Sequence, residues 1–244
     1  MQNKTSMFLL GATLAFGLAL SAYIIGQAAV KVTSENNVKV KGSSMRLVES
    51  DFSHWSGKYS VTAKTQGEGL DKLDQARKTV EKYLIDAGLK KEDLSFGRIY
   101  SEENYEVITD AKGNRTSKLS GYTLSQSVSV ASSQVYVIEK ISRESTSLIK
   151  KGMDFTSGSP SYTISDLDKY KMELLAEATK NATARAEVLA NNSKGKIGAL
   201  VSASQGVFQI TAPASSDISG YGEYDKTTIM KEVKAVVTLE FKVE

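Results

Sequence analysis

Cysteine is absent from this 244-residue chain, histidine occurs once, and proline occurs twice. The first absence excludes disulfides, thiolate metal sites, CxxC redox chemistry and a cysteine nucleophile together. A lone histidine, His54, excludes a two-histidine metal site. Long runs of one charge are missing as well. The 31 basic and 28 acidic side chains give a formal net charge of +3, so no phosphate-binding surface and no nucleic-acid partner is expected. With 41% hydrophobic residues the composition is that of an ordered globular chain. Lacking covalent cross-links, it must be held together by packing.

The motifs that would carry chemistry are incomplete. Gly67-Glu68-Gly69 precedes a helical pattern, but Lys72 stands at the third glycine position of a dinucleotide loop and Glu68 would repel a phosphate. Around Gly195-Lys196 the upstream glycine is replaced by Ala190, and no Ser or Thr follows the lysine. Methionines at 1, 7, 45, 153, 172 and 230 are too scattered for a copper motif. Glu102 and Glu103 are adjacent on a strand pattern and so point to opposite faces, which prevents them from sharing a glycosidase-type site. No catalytic residue, cofactor-binding residue, cofactor or metal ligand is assigned, and the expectation is a protein that is not an enzyme.

One long hydrophobic run is present. Met7 to Val30 carries no charge and is long enough to cross a hydrocarbon core of about 30 Å. Its length favours an uncleaved anchor, with signal cleavage near Gly26-Gln27-Ala28 as the alternative. The sequence therefore divides into a tail (1–6), a membrane anchor or signal segment (7–30), a connector (31–36) and one folded domain (37–244). Lys31, Lys39, Lys41 and Arg46 follow the anchor, where a positive-inside count would hold them in the cytoplasm. Long soluble domains translocate largely regardless of charge, so the domain is placed outside, in the periplasm.

Within the domain, strands are predicted from Val38 to Val48, from Phe52 to Lys64 with Tyr59, Val61 and Ala63 inward, and on both sides of a hairpin loop at 110–114. Helices are predicted over 70–87 and 133–150, followed by a long one between Ser165 and Gly195. That last segment carries Leu167, Tyr170, Leu174, Ala178, Ala182 and Leu189 as its buried stripe, with Ser165 as N-cap. A third of the stripe is alanine, which lets the helix approach a sheet or a second copy of itself closely. A short strand region with Pro160 lies before this helix, and Val233, Ala235, Val237, Leu239, Phe241 and Val243 alternate at the C-terminus. The pattern predicts an α+β fold, an antiparallel or mixed sheet packed by about three helices, preceded by the N-terminal membrane-spanning or signal helix.

Three residues outside the core pattern are candidates for an interaction surface. Arg185 interrupts the alanine-rich helix and either makes an intersubunit ion pair or snorkels to solvent. Tyr221 and Tyr224 lie in a Ser-, Gly- and Asp-rich stretch, 211–226, read as a mobile loop. His54 reads as a half-exposed strand residue, with a pH-sensitive role beside Asp51 or Glu49 as the alternative.

The VKG at Val40 to Gly42, IDAGLKKEDL at Ile85 to Leu94, GYTLSQSVSV at Gly121 to Val130 and ATKNATARAEVLANNSKGKIGAL at Ala178 to Leu200 together resemble the SIMPL-domain family of bacterial envelope proteins. The resemblance spans nearly everything from about residue 36 onward. It implies an α+β fold, export through or anchoring to the inner membrane, a tendency to homo-oligomerise, and an association with oxidative or envelope stress, without a reaction or catalytic residues to carry over. Many members carry Pro-Asp after the first strand, where this chain has Ser50-Asp51. The expected function is a membrane-tethered periplasmic scaffold or interaction protein whose partners are its own copies and the inner membrane. The alternative is a periplasmic binder of a small ligand or envelope polymer, and a hydrolase relying on Asp, Glu, Ser or Tyr alone is a third reading.

Overall fold

Period-two alternation and three helix-period stretches dominate the sequence, and the computed structural model turns them into two sheets with helices against them. It describes residues 2–33 (side chains from 7 to 27), 36–109, 113–215 and 219–244. The elements in chain order are α1 (Gln2–Thr33), β1 (Asn37–Glu49), β2 (Phe52–Ala63), α2 (Gln66–Asp86), a 3-10 turn (Lys91–Asp93), β3 (Leu94–Phe96), β4 (Tyr100–Thr109) and β5 (Arg115–Ser132). There follow α3 (Val135–Glu144), α4 (Ser147–Lys150), β6 (Asp154–Ser157), β7 (Ser161–Thr163), α5 (Leu167–Asn192), β8 (Ile197–Gln205), β9 (Gln209–Thr211), β10 (Glu223–Tyr224) and β11 (Met230–Val243). The α+β class is as expected, and the parallel pairing of β10 with β9 makes one of the sheets mixed. Two compact units share this chain: a terminal unit of residues 1–44, 175–206 and 235–244, and a central unit of residues 45–174 and 207–234.

The central unit is built on β5 and β2, which pair antiparallel from Ser53↔Ser132 to Ala63↔Tyr122. β3 and β4 pair with β5 on its other side, while β6 and β7 pair with β2. One face of this sheet carries Trp55, Tyr59, Leu124, Val128 and Val130, packed with Leu73, Val80 and Leu84 of α2, Ile138 and Ile141 of α3, Leu148 of α4 and Phe155. Tyr59 is fully buried, donates from its hydroxyl to Gln126 Oε1, and is pushed up to about 12 by that burial. Gln126 in turn donates to the Gly97 carbonyl at 2.7 Å, so the buried amide is satisfied at both ends.

Two boundaries differ from the sequence reading. The helix expected from Leu70 starts four residues earlier, because Thr65 and Glu68 form a capping box: Glu68 N–H donates to Thr65 Oγ1 at 3.3 Å and Lys64 N–H to Glu68 Oε2 at 3.2 Å. Gly67 and Gly69 are thus in the first turn rather than in a strand break, and Leu70 points to solvent while Gly69 is buried against Leu124. The helix expected over 133–150 divides after Glu144. Bonds from Leu148 N–H to Ser145 O and Ile149 N–H to Thr146 O tighten the chain there, and Leu148 is turned into the core. Of the expected hairpin loop, 110–112 lies outside the described residues, while the flanking strands pair from Tyr100↔Ser125 to Thr109↔Arg115.

In the terminal unit β11 pairs antiparallel with β8 from Val237↔Gln205 to Val243↔Ile197. The Val243 N–H donates to Asn36 O at 2.8 Å, beside the start of β1. The buried stripe of α5 differs from the expected one. Leu174 is followed at strict four-residue spacing by Ala178, Ala182, Ala186 and Ala190, all 0–2% exposed, while Leu189 is 51% exposed and Leu167 and Tyr170 are half-buried. The N-cap also moves: Lys169 N–H is met by Asp166 Oδ1 at 3.3 Å, while Ser165 N–H donates to Asp51 Oδ1 at 2.7 Å.

The alanines face Gly42 of the VKG segment. A Cβ built on Gly42 would lie 2.2 Å from the Ala178 carbonyl oxygen and 2.6 Å from Ala182 Cβ. Neither side of this contact has room for another carbon, so the alanine stripe is consumed within the chain. Ser43 N–H donates to Asn181 Oδ1 at 3.3 Å and Arg185 Nη1 to Lys41 O at 3.0 Å, tying the strand's backbone to the helix.

A second polar constraint lies at the start of β11. Lys231 is 0% exposed, and its ammonium donates to Asp225 O at 2.6 Å and Thr228 O at 2.7 Å, with Asp225 Oδ2 at 3.5 Å. Asp225 accepts from Thr227 N–H at 2.8 Å, Thr227 Oγ1 at 2.7 Å, Thr228 N–H at 3.2 Å and Thr228 Oγ1. Burial raises the Asp225 carboxyl, but the hydrogen bonds from Thr227 and Thr228 and the charge of Lys231 outweigh it and hold the group well below the usual carboxylate range. Burial lowers Lys231, and Asp225 opposes that shift.

Three substitutions test these features of the fold. Gly42→Ala is expected to lower unfolding free energy by about 1–3 kcal/mol through overpacking. Gly67→Ala, at a helical position with open space around it, is expected to raise it by up to about 1 kcal/mol; urea midpoints read both. Asp225→Asn, which strands a buried ammonium, is expected to cost about 3–5 kcal/mol near neutral pH. A carboxyl with a depressed native pKa stabilises above its unfolded value, about 3.9, and loses that contribution as pH falls through the native one. Unfolding curves at a series of pH values should therefore show the gap between wild type and Asp225→Asn narrowing below about pH 4.

Candidate functional site

The residues singled out in the sequence fall in separate surroundings. Arg185, exposed on α5 of the terminal unit, donates from Nη1 to the Lys41 carbonyl at 3.0 Å. It lines a shallow groove of about 540 Å³ with Lys39, Val40, Lys41, Ala184, Val188 and Leu189. The floor of that groove is aliphatic, and the three cationic residues belong to its lining.

Tyr221 and Tyr224 belong to the central unit and are not equivalent. Tyr221 is 99% exposed. Tyr224 is half-buried in β10, opposite Ile210 of β9, with Lys226 Nζ 5.9 Å from its ring centroid. Much of the stretch expected to be a mobile loop is tied down: Gln209 Nε2 donates to Ser219 O at 2.7 Å and Asp225 N–H to Ile210 O at 2.8 Å. Residues 216–218 lie outside the described residues. His54 is exposed on β2, edge-on to Phe52 with ring centroids 5.1 Å apart. Ser50, standing where the resemblance expects proline, donates its N–H to Ile229 O at 2.9 Å, a bond proline could not make. Among the described residues no group of three or more His, Cys, Asp or Glu side chains is arranged to hold a metal ion.

Outside α1, a further exposed apolar feature lies on β4 and β5. β5 runs beyond its partner β2, whose last paired residue, Ala63, meets Tyr122, and from Arg115 to Gly121 it pairs with β4 alone. A two-stranded ribbon results. On it the face that elsewhere holds Leu124 continues with Tyr105 opposite Leu119 and with Val107 opposite Ser117. Among the described residues no helix covers this extension: Tyr105 is 58% exposed, Val107 65% and Leu119 41%. The other face carries Glu102 and Glu106, the latter opposite Lys118, together with Ile108. Tyr105 donates to Glu103, and that hydrogen bond raises its phenol above the ordinary value. The signal in the sequence is the alternation of Glu103, Tyr105, Val107 and Thr109 with Glu102, Asn104, Glu106 and Ile108.

At the N-terminus, α1 holds Met7–Gln27, with a mean hydropathy of 2.1 and no buried residues, long and apolar enough to cross a membrane. Such a helix passes the same test whether it stays as a span or is a signal sequence.

Comparison with known proteins agrees with the fold. The chain is 25% identical over 210 residues to the 26 kDa periplasmic immunogenic protein of Brucella melitensis biotype 1, covering 84% of this chain and 81% of that protein. Residues 38–241 match the family described as SIMPL, protein of unknown function (DUF541), a match that runs from Val38 in β1 to Phe241 in β11 and so reaches into both compact units. With its Gly42 contact, its capped α2 and its sheets all inside the matched region, this chain belongs to the SIMPL family.

Proposed function

We propose that this chain is a membrane-tethered periplasmic protein that works by associating with its own copies and serving as a scaffold or interaction module, without catalysis. The uncovered ribbon carries the reading. An isolated two-stranded ribbon is marginal in water, and an exposed patch of Tyr105, Val107 and Leu119 on it is the kind of surface that protein contact stabilises. The alanine stripe of α5 no longer contributes to the argument, because Gly42 and β1 occupy it. The apolar Met7–Gln27 segment supports the tether, and the Brucella relative's periplasmic description supports the compartment. A link to envelope stress is what the family resemblance adds.

A second reading is favoured by the groove beside α5. Its aliphatic floor of Val40, Ala184, Val188 and Leu189 and its cations Lys39, Lys41 and Arg185 suit an anionic amphiphile.

Native mass spectrometry of the full chain extracted from membranes in mild detergent tests the first reading. The expected result is a mass above one copy with residues 7–27 retained, and a lower mass for Val107→Asp. A monomer at tens of micromolar would count against self-association, and a chain beginning near residue 28 would replace the tether by cleavage. For the second reading, decanoate should slow hydrogen exchange in β1 and the C-terminal half of α5, with the effect lost in Val188→Asp; unchanged exchange would remove it.

A further inference from the structure

We infer that copies of this chain join edge to edge through the ribbon, the outer edge of β4 in one copy pairing with the free edge of β5 in the next. The inference rests on the self-association reading and specifies its surface and its polarity.

Three observations point to this pairing. First, the edges are open. Among the described residues β4 has a strand neighbour only in β5, and from Arg115 to Gly121 β5 has a strand neighbour only in β4. The alternate residues of β4 whose backbone groups face away from β5, and those of β5 between Arg115 and Ser120 that face away from β4, therefore lie on edges with no described strand partner, the arrangement that invites strand addition from another chain. Secondly, the uncovered apolar face lies on the same ribbon, so strand addition would extend it and let Tyr105, Val107 and Leu119 meet the equivalent residues of the neighbour.

The third observation selects the orientation. From Tyr100 to Thr109, β4 carries Glu102, Glu103 and Glu106 and no base, whereas β5 from Arg115 to Gly121 carries Arg115 and Lys118 and no acid. The sign segregates on both faces: Glu103 and Arg115 share the face of Tyr105, while Glu102, Glu106 and Lys118 share the other. Pairing β4 with β4 sets three carboxylates against three, and pairing β5 with β5 sets cations against cations; like charges placed across strands are destabilising. β4 against β5 sets acid against base on either face. The order β5, β4, β5, β4 also keeps every neighbour antiparallel, as within the ribbon itself.

Such a contact is heterologous. Each added copy uses one edge and leaves the other open, so association continues beyond two copies instead of stopping at a two-fold dimer.

Charge exchange on the full chain in mild detergent tests this. One variant, Glu102→Lys, Glu103→Lys and Glu106→Lys, has an all-basic ribbon; the other, Arg115→Glu and Lys118→Glu, has an all-acidic one. All five positions are exposed or nearly so, and circular dichroism checks that both variants keep the fold. Each alone is expected to be monomeric at concentrations where the wild type exceeds two copies, and mixing the two is expected to restore assemblies containing both. Raising salt should weaken the mixed assembly. If either variant loses the fold, Glu106→Gln combined with Lys118→Gln provides the second reading, and at least a tenfold weaker association is expected. Swapped variants that keep the wild-type mass distribution, or that fail to assemble when mixed, would overturn the edge pairing while leaving self-association standing. A wild type that is monomeric would overturn both.

Discussion

The close approach of α5 to β1 at Gly42 is the contact on which the terminal unit depends. A helix normally keeps its distance because side chains of both elements must fit between the backbones. Here one partner has no side chain and the other offers only alanines at Ala178 and Ala182, with neighbouring Ala186 and Ala190 extending the same stripe. Each buried methyl contributes little apolar area compared with a leucine, so the stability of such a contact comes from fit and from the backbone bonds it permits. Asn181 and Arg185 make those bonds, reaching Ser43 N–H and Lys41 O. The VKG segment and the long helix are thus two halves of one device in a chain without a disulfide.

The two sheets treat exposed backbone differently. Where β1 meets α5, helix side chains satisfy strand groups and the backbone is occupied. On the ribbon no described strand occupies the outer edge of β4, and the charged residues along it differ in sign between the two strands. Charges on an edge commonly protect against unwanted pairing. Segregated charges have a narrower effect: they reject some orientations and admit another.

Much of this was legible in the sequence. The C-terminal alternation from Val233 to Phe241 and the β5 pattern of Leu124, Val128 and Val130 emerged as read, because burial on one face imposes a period that composition cannot hide. What was missed depended on distance across the chain. Thr65 and Glu68 are a local cap, and two glycines concealed it. The inward face of α5 was read through Leu189, but an alanine repeat of four matched a flat strand better than a leucine stripe would. Arg185 acquired its role only once Lys41, more than a hundred residues away, was in reach. Lys231 was the hardest: it continues the phase of Val233 and Ala235 by one step, and a lysine in a core phase is normally taken as the end of the strand.

That lysine also decides something that hydrophobicity leaves open. In β11 the inward residues are Val233, Ala235, Val237, Leu239 and Phe241, so a shift of two residues along the neighbouring strands would still place apolar groups inside and polar groups outside. Alternation forbids a slip of one and permits a slip of two. Asp225 is itself held to β9 through its N–H and Ile210 O, so with Lys231 locked to Asp225 a two-residue slip of β11 against β9 would carry the ammonium away from these oxygens and leave Asp225 without its cation. The buried charge thus works as an index mark on an otherwise repetitive strand, fixing which of several nearly equivalent alignments the chain adopts.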